Sequence, residues 1–373
     1  MQEETLRKVI ELRHDLHQHP CLSGQEADTK GRLMAFLRAN TALELVDRGA
    51  WFYAAYHPAA PVGSIALRAD MDALPIRETT DLPYRSVNEG VAHKCGHDGH
   101  SAALAGLCLE LDRKGCGKDV YCIFQHAEET GAGGADCARL LTEKHIDEVY
   151  GLHSLPSVKF PYLGLRDGTI CCASKGMELR FTGVSAHASQ PEKGRNPARA
   201  IGRLVLELEH IADPARYTGL ILATVVAIDL GERAYGIAAH EGSLCLTIRG
   251  QHEAELLAMQ RELEAFALAC AEEDGLRLSV SFTEVFPETY NHPESVDKLR
   301  RLAKANGMPV HELPEPIRSS EDFGWYTKAA PGAMVWIGAG EDHPPLHSAD
   351  FDFNDALIPH IVTFFERLIG AGE

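Results

Sequence analysis

The sequence has no apolar run of membrane-spanning length and no excess of basic residues. Its 373 residues carry 36 Lys and Arg against 54 Asp and Glu, a formal net charge of −18 at pH 7. This balance argues against a nucleic acid or an anionic membrane as a partner. The first residues lack the basic and apolar stretches of a secretion signal, so we expect a cytoplasmic protein.

Internal repeats and low-complexity tracts are also absent, which argues against a repeat architecture. The ten cysteines are expected to remain thiols, because a reducing compartment disfavours disulfides. With 45% hydrophobic residues, a chain of this length has enough apolar side chains for two cores.

The segment His93–His100 contains a thiol, three imidazoles and a carboxylate. Such groups bind Zn²⁺ and neighbouring transition metals. An apolar run follows and predicts a helix, so we expect Cys95 and His97 on a tight turn before that helix. No second Cys/His pair follows at the short spacing of a zinc finger. The remaining ligands must therefore be remote in sequence, as they are in catalytic sites.

Polar residues follow four predicted strands, each a short apolar run. They are Asp70 and Asp72 after 64–69, Glu128 and Glu129 after 120–124, His153 after 148–152, and His347 after 333–337. Sites in open α/β sheets form outside the carboxyl ends of the strands, so these side chains are predicted to share one pocket.

A segment with a different pattern of apolar residues separates His153 from His347. Alternating apolar residues and one-sided helices follow one another there in the order β-α-β-β-α-β, that of a ferredoxin-like unit. We therefore predict a small inserted domain at 175–286. The catalytic domain is then discontinuous, at 1–174 and 287–373, and has an α/β fold with a mostly parallel sheet.

The candidate metal ligands are a thiolate, three imidazoles and one of two glutamates: Cys95, His97, His153, His347, and Glu128 or Glu129. A thiolate can bridge two ions, with His97 and His153 completing one ion and a glutamate with His347 completing the other. Two ions about 3.5–4 Å apart can share and acidify a water and stabilise the oxyanion formed on a carbonyl. These residues predict a hydrolase.

Six strings occur in order along the chain: Leu67–Ile76, Cys95–His100, Glu128–Glu129, Gly151–His153, Ser320–Phe323 and Leu346–His347. Together they closely resemble the amidohydrolase branch of the dinuclear-metal aminoacylase and carboxypeptidase family. That branch includes hippurate hydrolases, auxin-conjugate hydrolases and N-acetyl-diaminopimelate deacetylases.

The resemblance implies two divalent ions per subunit, Zn²⁺, Mn²⁺ or Co²⁺. It makes Glu128 the general base, and it assigns the metal ligands as Cys95, His97, Glu129, His153 and His347.

The resemblance also implies that the inserted domain is a lid or dimerisation domain. A histidine of that domain steadies the scissile carbonyl in the family, and His187 occupies the matching position here. In dimeric relatives this histidine serves the neighbouring subunit. A homodimer through the inserted domain is therefore expected, and His187 acts either in cis or in trans.

Four further residues are candidates for supporting or substrate-binding roles. A metal-bound histidine normally needs a carboxylate partner, which we expect to be Asp72 or Asp98. For Asp70 and Asp72, the alternative to a supporting role at the metal site is that they cap a turn. Arg249 ends a predicted strand and is placed to bind a substrate carboxylate, with a surface ion pair as the alternative.

The predicted function is hydrolysis of the amide bond of small N-acyl amino acids, such as N-acetyl or N-benzoyl conjugates. A dipeptidase or aminopeptidase with the same two-metal site is the first alternative. A thiol hydrolase with Cys95 as nucleophile is another. The last alternative is a metal-binding module without turnover.

Overall fold

The computed structural model describes residues 1–370, which form two compact units. The first comprises Met1–Ile170, Thr289–Pro316 and the segment from Asp322 onwards; the second comprises Cys171–Glu288 and Ile317–Glu321. Among the described residues, no helix is long and apolar enough to cross a bilayer.

The α-helices are α1 (Glu3–Gln18), α2 (Ala27–Asn40), α3 (His97–Lys114), α4 (Gly134–Cys137), α5 (Arg139–Glu143), α6 (Ala198–Ile211), α7 (Glu253–Asp274), α8 (Pro293–Ala305), α9 (Gly324–Ala329) and α10 (Ile358–Gly370). The strands are β1 (Glu44–Asp47), β2 (Phe52–Tyr56), β3 (Ser64–Asp70), β4 (Asp119–Gln125), β5 (Glu148–Pro156), β6 (Leu163–Leu165), β7 (Gly168–Cys171), β8 (Ala173–Thr182), β9 (Ala186–His187), β10 (Ile221–Leu230), β11 (Ile237–Ala238), β12 (Glu241–Gly250), β13 (Arg277–Phe286), β14 (Thr289–Asn291), β15 (Val310–Glu312) and β16 (Gly332–Gly340).

The first unit is built on an eight-stranded sheet with the order β1-β2-β4-β3-β5-β16-β6-β15. The four adjacent strands β4, β3, β5 and β16 are parallel to one another. Their side chains are almost entirely buried, as expected for parallel strands covered on both faces. The predicted α/β fold with a mostly parallel sheet is confirmed.

Strand register sets the height of the site along this sheet. Asp70, the last residue of β3, pairs with Gln125, the last residue of β4. On the other side, Arg68 of β3 pairs with Gly151 of β5, so His153 lies two residues further along β5, level with Asp70. Neighbouring parallel strands therefore bring polar side chains to one edge, because their carboxyl ends coincide.

Two local predictions need correction. Helix α3 begins at His97, so Cys95 lies on the turn as predicted but His97 is the first residue of the helix. Strand β5 continues to Pro156, which places His153 within the strand instead of after it. Strands β1 and β2, which extend the sheet in antiparallel fashion, were not predicted.

The second unit contains a four-stranded antiparallel sheet with the order β10-β12-β8-β13. Inward side chains of the sheet pack with α6 and α7 in one apolar core that includes Leu179, Leu204, Leu246 and Leu263. Strand β10 lies at an edge of the sheet.

That edge carries exposed apolar side chains. Val226, Ile228 and Leu230 on β10 are 64%, 49% and 42% exposed. An unpaired strand edge with apolar side chains is a surface that readily pairs with another strand.

Candidate metal centre

Cys95 and His97 are placed by a sharp turn into α3. Gly96 adopts φ 94°, a left-handed conformation that glycine accepts at low cost. One turn later, a Cβ at Gly99 would lie 2.2 Å from the ring of Phe353, so this position needs the close approach that glycine allows. Cys95 is 7% exposed and His97 is fully buried.

Asp72 fixes the orientation of His97. His97 Nδ1 donates to the backbone oxygen of Asp72 at 3.0 Å and faces its carboxylate at 3.1 Å. The same carboxylate accepts hydrogen bonds from the backbone N–H of Glu129 and the hydroxyl of Ser23. With Nδ1 engaged as a donor, Nε2 is the nitrogen of His97 that faces the site, as in metal-bound histidines.

His97 Nε2 is buried and has no hydrogen-bond partner in the structure. It faces three carboxylate oxygens, from Asp70 at 3.7 Å, Glu129 at 3.8 Å and Glu128 at 3.9 Å. Glu129 Oε1 is likewise buried without a hydrogen-bond partner. Ligand atoms lie about 2 Å from a bound Zn²⁺, so two atoms that share one ion are about 3–4 Å apart. The spacing and the orphaned atoms fit a divalent cation.

His153 joins this group from β5. Its Nδ1 donates to the backbone oxygen of Ser154 at 2.7 Å, which leaves Nε2 free to act as a ligand. That Nε2 lies 3.4 Å from Cys95 Sγ. His100 is held differently: Nδ1 donates to Asp70 and Nε2 accepts the backbone N–H of Ser154. Both nitrogens of His100 are engaged, which gives it a supporting role.

The two glutamates lie on a tight turn after β4. Ala127 adopts φ 48°, an uncommon conformation for a residue with a side chain. Its carbonyl accepts the backbone N–H of Gly133, and its own N–H donates to the buried carboxylate of Glu26. These bonds hold the strained turn and thereby aim Glu128 and Glu129 into the site.

His347 arrives from the C-terminal part of the chain. It too is in the left-handed region, at φ 63°, and its backbone N–H donates to the carbonyl of Lys94, next to Cys95. His347 Nε2 lies 3.5 Å from Glu129 Oε2. Cys95, Glu129 and His347 form one group of converging ligand atoms, and His97, Glu128 and Glu129 form another.

Burial and crowded carboxylates perturb the titration of these groups. Burial alone would lower the pKa of His97, but Asp70 and Asp72 outweigh it and raise that pKa to about 10. Burial raises the pKa of Glu129 to about 8, and the charges of Asp72 and Asp70 act in the same direction. His97 is thus a cation-forming partner of several acids, and a metal ion would relieve the same crowding of negative charge.

Asp70 is held by a second buried network behind the site. Arg68 donates to Asp70 at 2.6 Å and to Asp322 at 2.8 Å. Asp322 also accepts the side-chain amide of Gln125 and the backbone N–H of Gly134. The Ser320–Phe323 string therefore includes a residue that braces the ends of β3 and β4.

The remaining predicted residues lie elsewhere. Asp98 accepts a hydrogen bond from His17 and pairs with Arg13, so it does not orient a candidate ligand directly. Arg249, in the second unit, donates to Ser320 Oγ and to the carbonyl of Arg318. Sequence reasoning missed Glu26, Arg68 and His17, whose polar partners are remote in sequence.

His187 lies on β9 of the second unit and is exposed. Its Nδ1 accepts the backbone N–H of Ser189 at 3.2 Å. The proton of the neutral ring is therefore on Nε2, so the exposed nitrogen is a hydrogen-bond donor.

Comparison with known sequences identifies relatives over almost the whole chain. Residues 66–371 match the profile of the family described as Peptidase family M20/M25/M40. An N-acetyldiaminopimelate deacetylase of Limosilactobacillus fermentum is 29% identical, over 94% of this chain and 94% of its own. An uncharacterised hydrolase of Staphylococcus aureus (strain bovine RF122) is 30% identical, over 98% of both chains.

Solved structures with the same fold are also known. A protein described as an aminohydrolase of methicillin-resistant Staphylococcus aureus superimposes with a TM-score of 0.89 at 26% identity, covering 98% of this chain and 97% of its own. A Bacillus subtilis protein described as a dinuclear metal-binding peptidase has a TM-score of 0.82 at 24% identity, covering 99% and 98%.

Proposed function

The chain belongs to peptidase family M20/M25/M40, a family of metal-dependent hydrolases, and from this premise we propose that it cleaves the amide bond of small N-acyl amino acids. The observation that carries the proposal is the convergence of Cys95, Glu129 and His347 beside the orphaned Nε2 of His97. The relationship to a deacetylase of an N-acyl amino acid supports the substrate class.

Five residues would hold two divalent ions, either Zn²⁺, Mn²⁺ or Co²⁺: Cys95, His97, Glu129, His153 and His347. Cys95 is placed to be shared, since its thiol is 3.4 Å from His153 and belongs to the group with Glu129 and His347. The ions would supply Lewis acidity, which polarises a carbonyl and lowers the pKa of a water. Asp70 and Asp72 hold the imidazoles around them.

Glu128 is the proposed general base and acid. It is 5% exposed, and its Oε2 is 3.9 Å from His97 Nε2, so it faces the site without occupying the same position as Glu129. In this role it takes a proton from the attacking water and delivers it to the departing amine, whose nitrogen must be protonated before it can leave.

His187 is the proposed donor to the scissile carbonyl. Its Nε2–H is exposed and its Nδ1 is fixed by Ser189, so the donor is ready without a change of tautomer. The bounds of the second unit are close to those predicted for the inserted domain, 175–286. We propose that this unit is a lid and dimerisation domain. The exposed apolar side chains of the edge strand β10 support a homodimer, and we propose that His187 then acts in trans.

A substrate panel tests the proposed class. With Mn²⁺ or Zn²⁺ present, N-acetyl, N-benzoyl and longer N-acyl amino acids are expected to be hydrolysed. Dipeptides with a free N-terminal amine are expected to react at least about 10-fold more slowly in kcat/KM, because an ammonium group next to the ions is repelled and must be desolvated. Liberated amine is measured by derivatisation. Preference for free dipeptides would favour the peptidase alternative.

Mixing two inactive variants tests His187 in trans. His187→Ala and Glu128→Gln are each expected to be nearly inactive, whereas subunit exchange between them restores about a quarter of wild-type activity, since half of a random mixture is heterodimer with one intact site. Activity is assayed after exchange, and mixing of each variant with itself is the control. A monomer by gel filtration, or no recovery despite exchange, contradicts the role.

A further inference from the structure

A buried ionic network surrounds the turn that carries Cys95 and His97. Arg13 and His17 of α1, together with Lys94, face the carboxylates of Asp98 and Glu78. All five side chains are at most 4% exposed. Ions are buried in proteins only when they are paired, so the network must be held in a fixed arrangement.

His17 joins two parts of this network. Its Nδ1 lies 2.8 Å from Asp98 Oδ2, and its Nε2 lies 2.9 Å from Glu78 Oε1. Asp98 also pairs with Arg13 Nε at 3.0 Å and Glu78 pairs with Lys94 Nζ at 2.7 Å, so each carboxylate is held by a permanent cation and acts as an acceptor. Both nitrogens of His17 must therefore donate, which makes the ring an imidazolium.

The two carboxylates reach the two ends of the metal-ligand turn. Asp98 directly follows His97 at the start of α3. Glu78 accepts a hydrogen bond from Lys94 Nζ at 2.7 Å, and Lys94 directly precedes Cys95. The backbone carbonyl of Lys94 in turn accepts the N–H of His347 at 2.7 Å.

We propose that His17 is a positioning residue for the metal centre: as an imidazolium between Asp98 and Glu78, it fixes both ends of the turn that presents Cys95 and His97. This inference rests on the proposed function, since it assumes that the turn binds metal. Loss of the imidazolium leaves two buried carboxylates close together without their shared cation, and their repulsion loosens the turn.

Arg13 cannot substitute for this bridge. Its Nε pairs with Asp98 at 3.0 Å, its other nitrogens face Asp352 and Asp355, and Nη2 also lies 3.4 Å from His17 Nδ1, but none of them faces Glu78. Lys94 is committed to Glu78 and to the carbonyl of Phe351. Each of these cations is thus bound to one side of the network, whereas His17 binds both.

Cobalt binding to metal-free protein provides the test. Co²⁺ is titrated into wild type and His17→Gln, and the near-ultraviolet absorption of cobalt–thiolate coordination reports directly on Cys95. Gln is neutral and has one amide donor group, so it cannot bridge both carboxylates as a cation. The dissociation constant is expected to rise about 10–100-fold, the range found when outer partners of metal ligands are removed. The thiolate band is expected to be weaker or shifted.

A matched control separates positioning from general stability. Lys298→Met removes a half-buried ion pair with Glu148 in the same unit, at 2.5 Å, and is expected to leave cobalt affinity unchanged. Thermal unfolding of all metal-free variants identifies those that are folded. A folded His17→Gln protein with a dissociation constant within about twofold of wild type overturns the proposal. So does an equal loss of affinity in Lys298→Met.

Coupling to Glu78 supplies a second criterion. If His17 acts through Glu78 and Lys94, then Glu78→Gln also weakens cobalt binding, and the double variant loses less affinity than the product of the single losses. Independent effects contradict the bridge. Wild-type protein that binds no cobalt and hydrolyses no N-acyl amino acid would defeat the proposed function itself, whereas tight binding in every variant defeats the role of His17 alone.

Discussion

Removal of divalent cations by a chelator is expected to reduce hydrolysis of N-acyl amino acids by about 10³-fold or more, since Lewis-acid stabilisation of several kcal/mol is lost and each 1.36 kcal/mol is a factor of ten. The physical reason lies in the site. Among residues 1–370, His97 Nε2 and Glu129 Oε1 are buried without hydrogen-bond partners, as expected for atoms that bind a cation. Initial rates after dialysis, with metal content measured in the same sample, check the prediction.

Restoration distinguishes metal dependence from damage. Activity is expected to return on addition of Mn²⁺, Zn²⁺ or Co²⁺, and Mg²⁺ is expected to restore little, because the thiolate of Cys95 is a poor ligand for a hard ion. Full activity in chelator combined with inactivation by a thiol-alkylating reagent would instead favour Cys95 as a nucleophile.

Glu128→Gln is expected to lower kcat by about 10²–10⁴-fold, the contribution of a general acid–base group. The amide has nearly the shape of the carboxylate but neither accepts a proton from water nor delivers one to the amine. Glu128 contacts the same imidazole as Glu129, at 3.9 Å and 3.8 Å, so metal content must be measured beside kcat. We expect Glu128→Gln to retain both ions.

Two further variants define that result. Glu129→Gln is expected to lose metal as well as activity, which separates a ligand from a base. Glu143→Gln, which removes only an exposed ion pair with Arg48, is the matched control and is expected to behave as wild type. Near-normal turnover by Glu128→Gln would end its assignment as the base.

The sequence was most informative where periodicity and strand order determine structure. The apolar runs of β3, β4, β5 and β16 predicted a mostly parallel sheet, and sites on such sheets lie at strand ends whatever the loops do. Strand β1 was missed because 44–47 contains only two apolar residues, whereas β2 was missed although 52–56 is a short apolar run. Their pairing depends on β4, which lies far along the chain.

The supporting residues of the site were harder to predict. In α1, Arg13 and His17 are spaced like residues of a solvated face, yet both are fully buried. Only their partners explain this, and Glu78, Asp98 and Asp352 are remote in sequence. Candidate ligands are recognisable because thiol and imidazole groups are rare and clustered, whereas a lone arginine or glutamate looks the same on a surface and in a buried network.

The position of β16 between β5 and β6 has a consequence for biosynthesis. Strand β5 ends at Pro156, but its neighbour β16 begins only at Gly332, after the whole of the second unit. At about 5–20 residues per second, the nascent chain spends roughly 10–35 s with that edge of β5 unpaired. During translation the sheet therefore lacks one of its central strands. The unpaired edge of β5 is exposed in this interval, and we expect chaperones to bind the nascent chain at that stage.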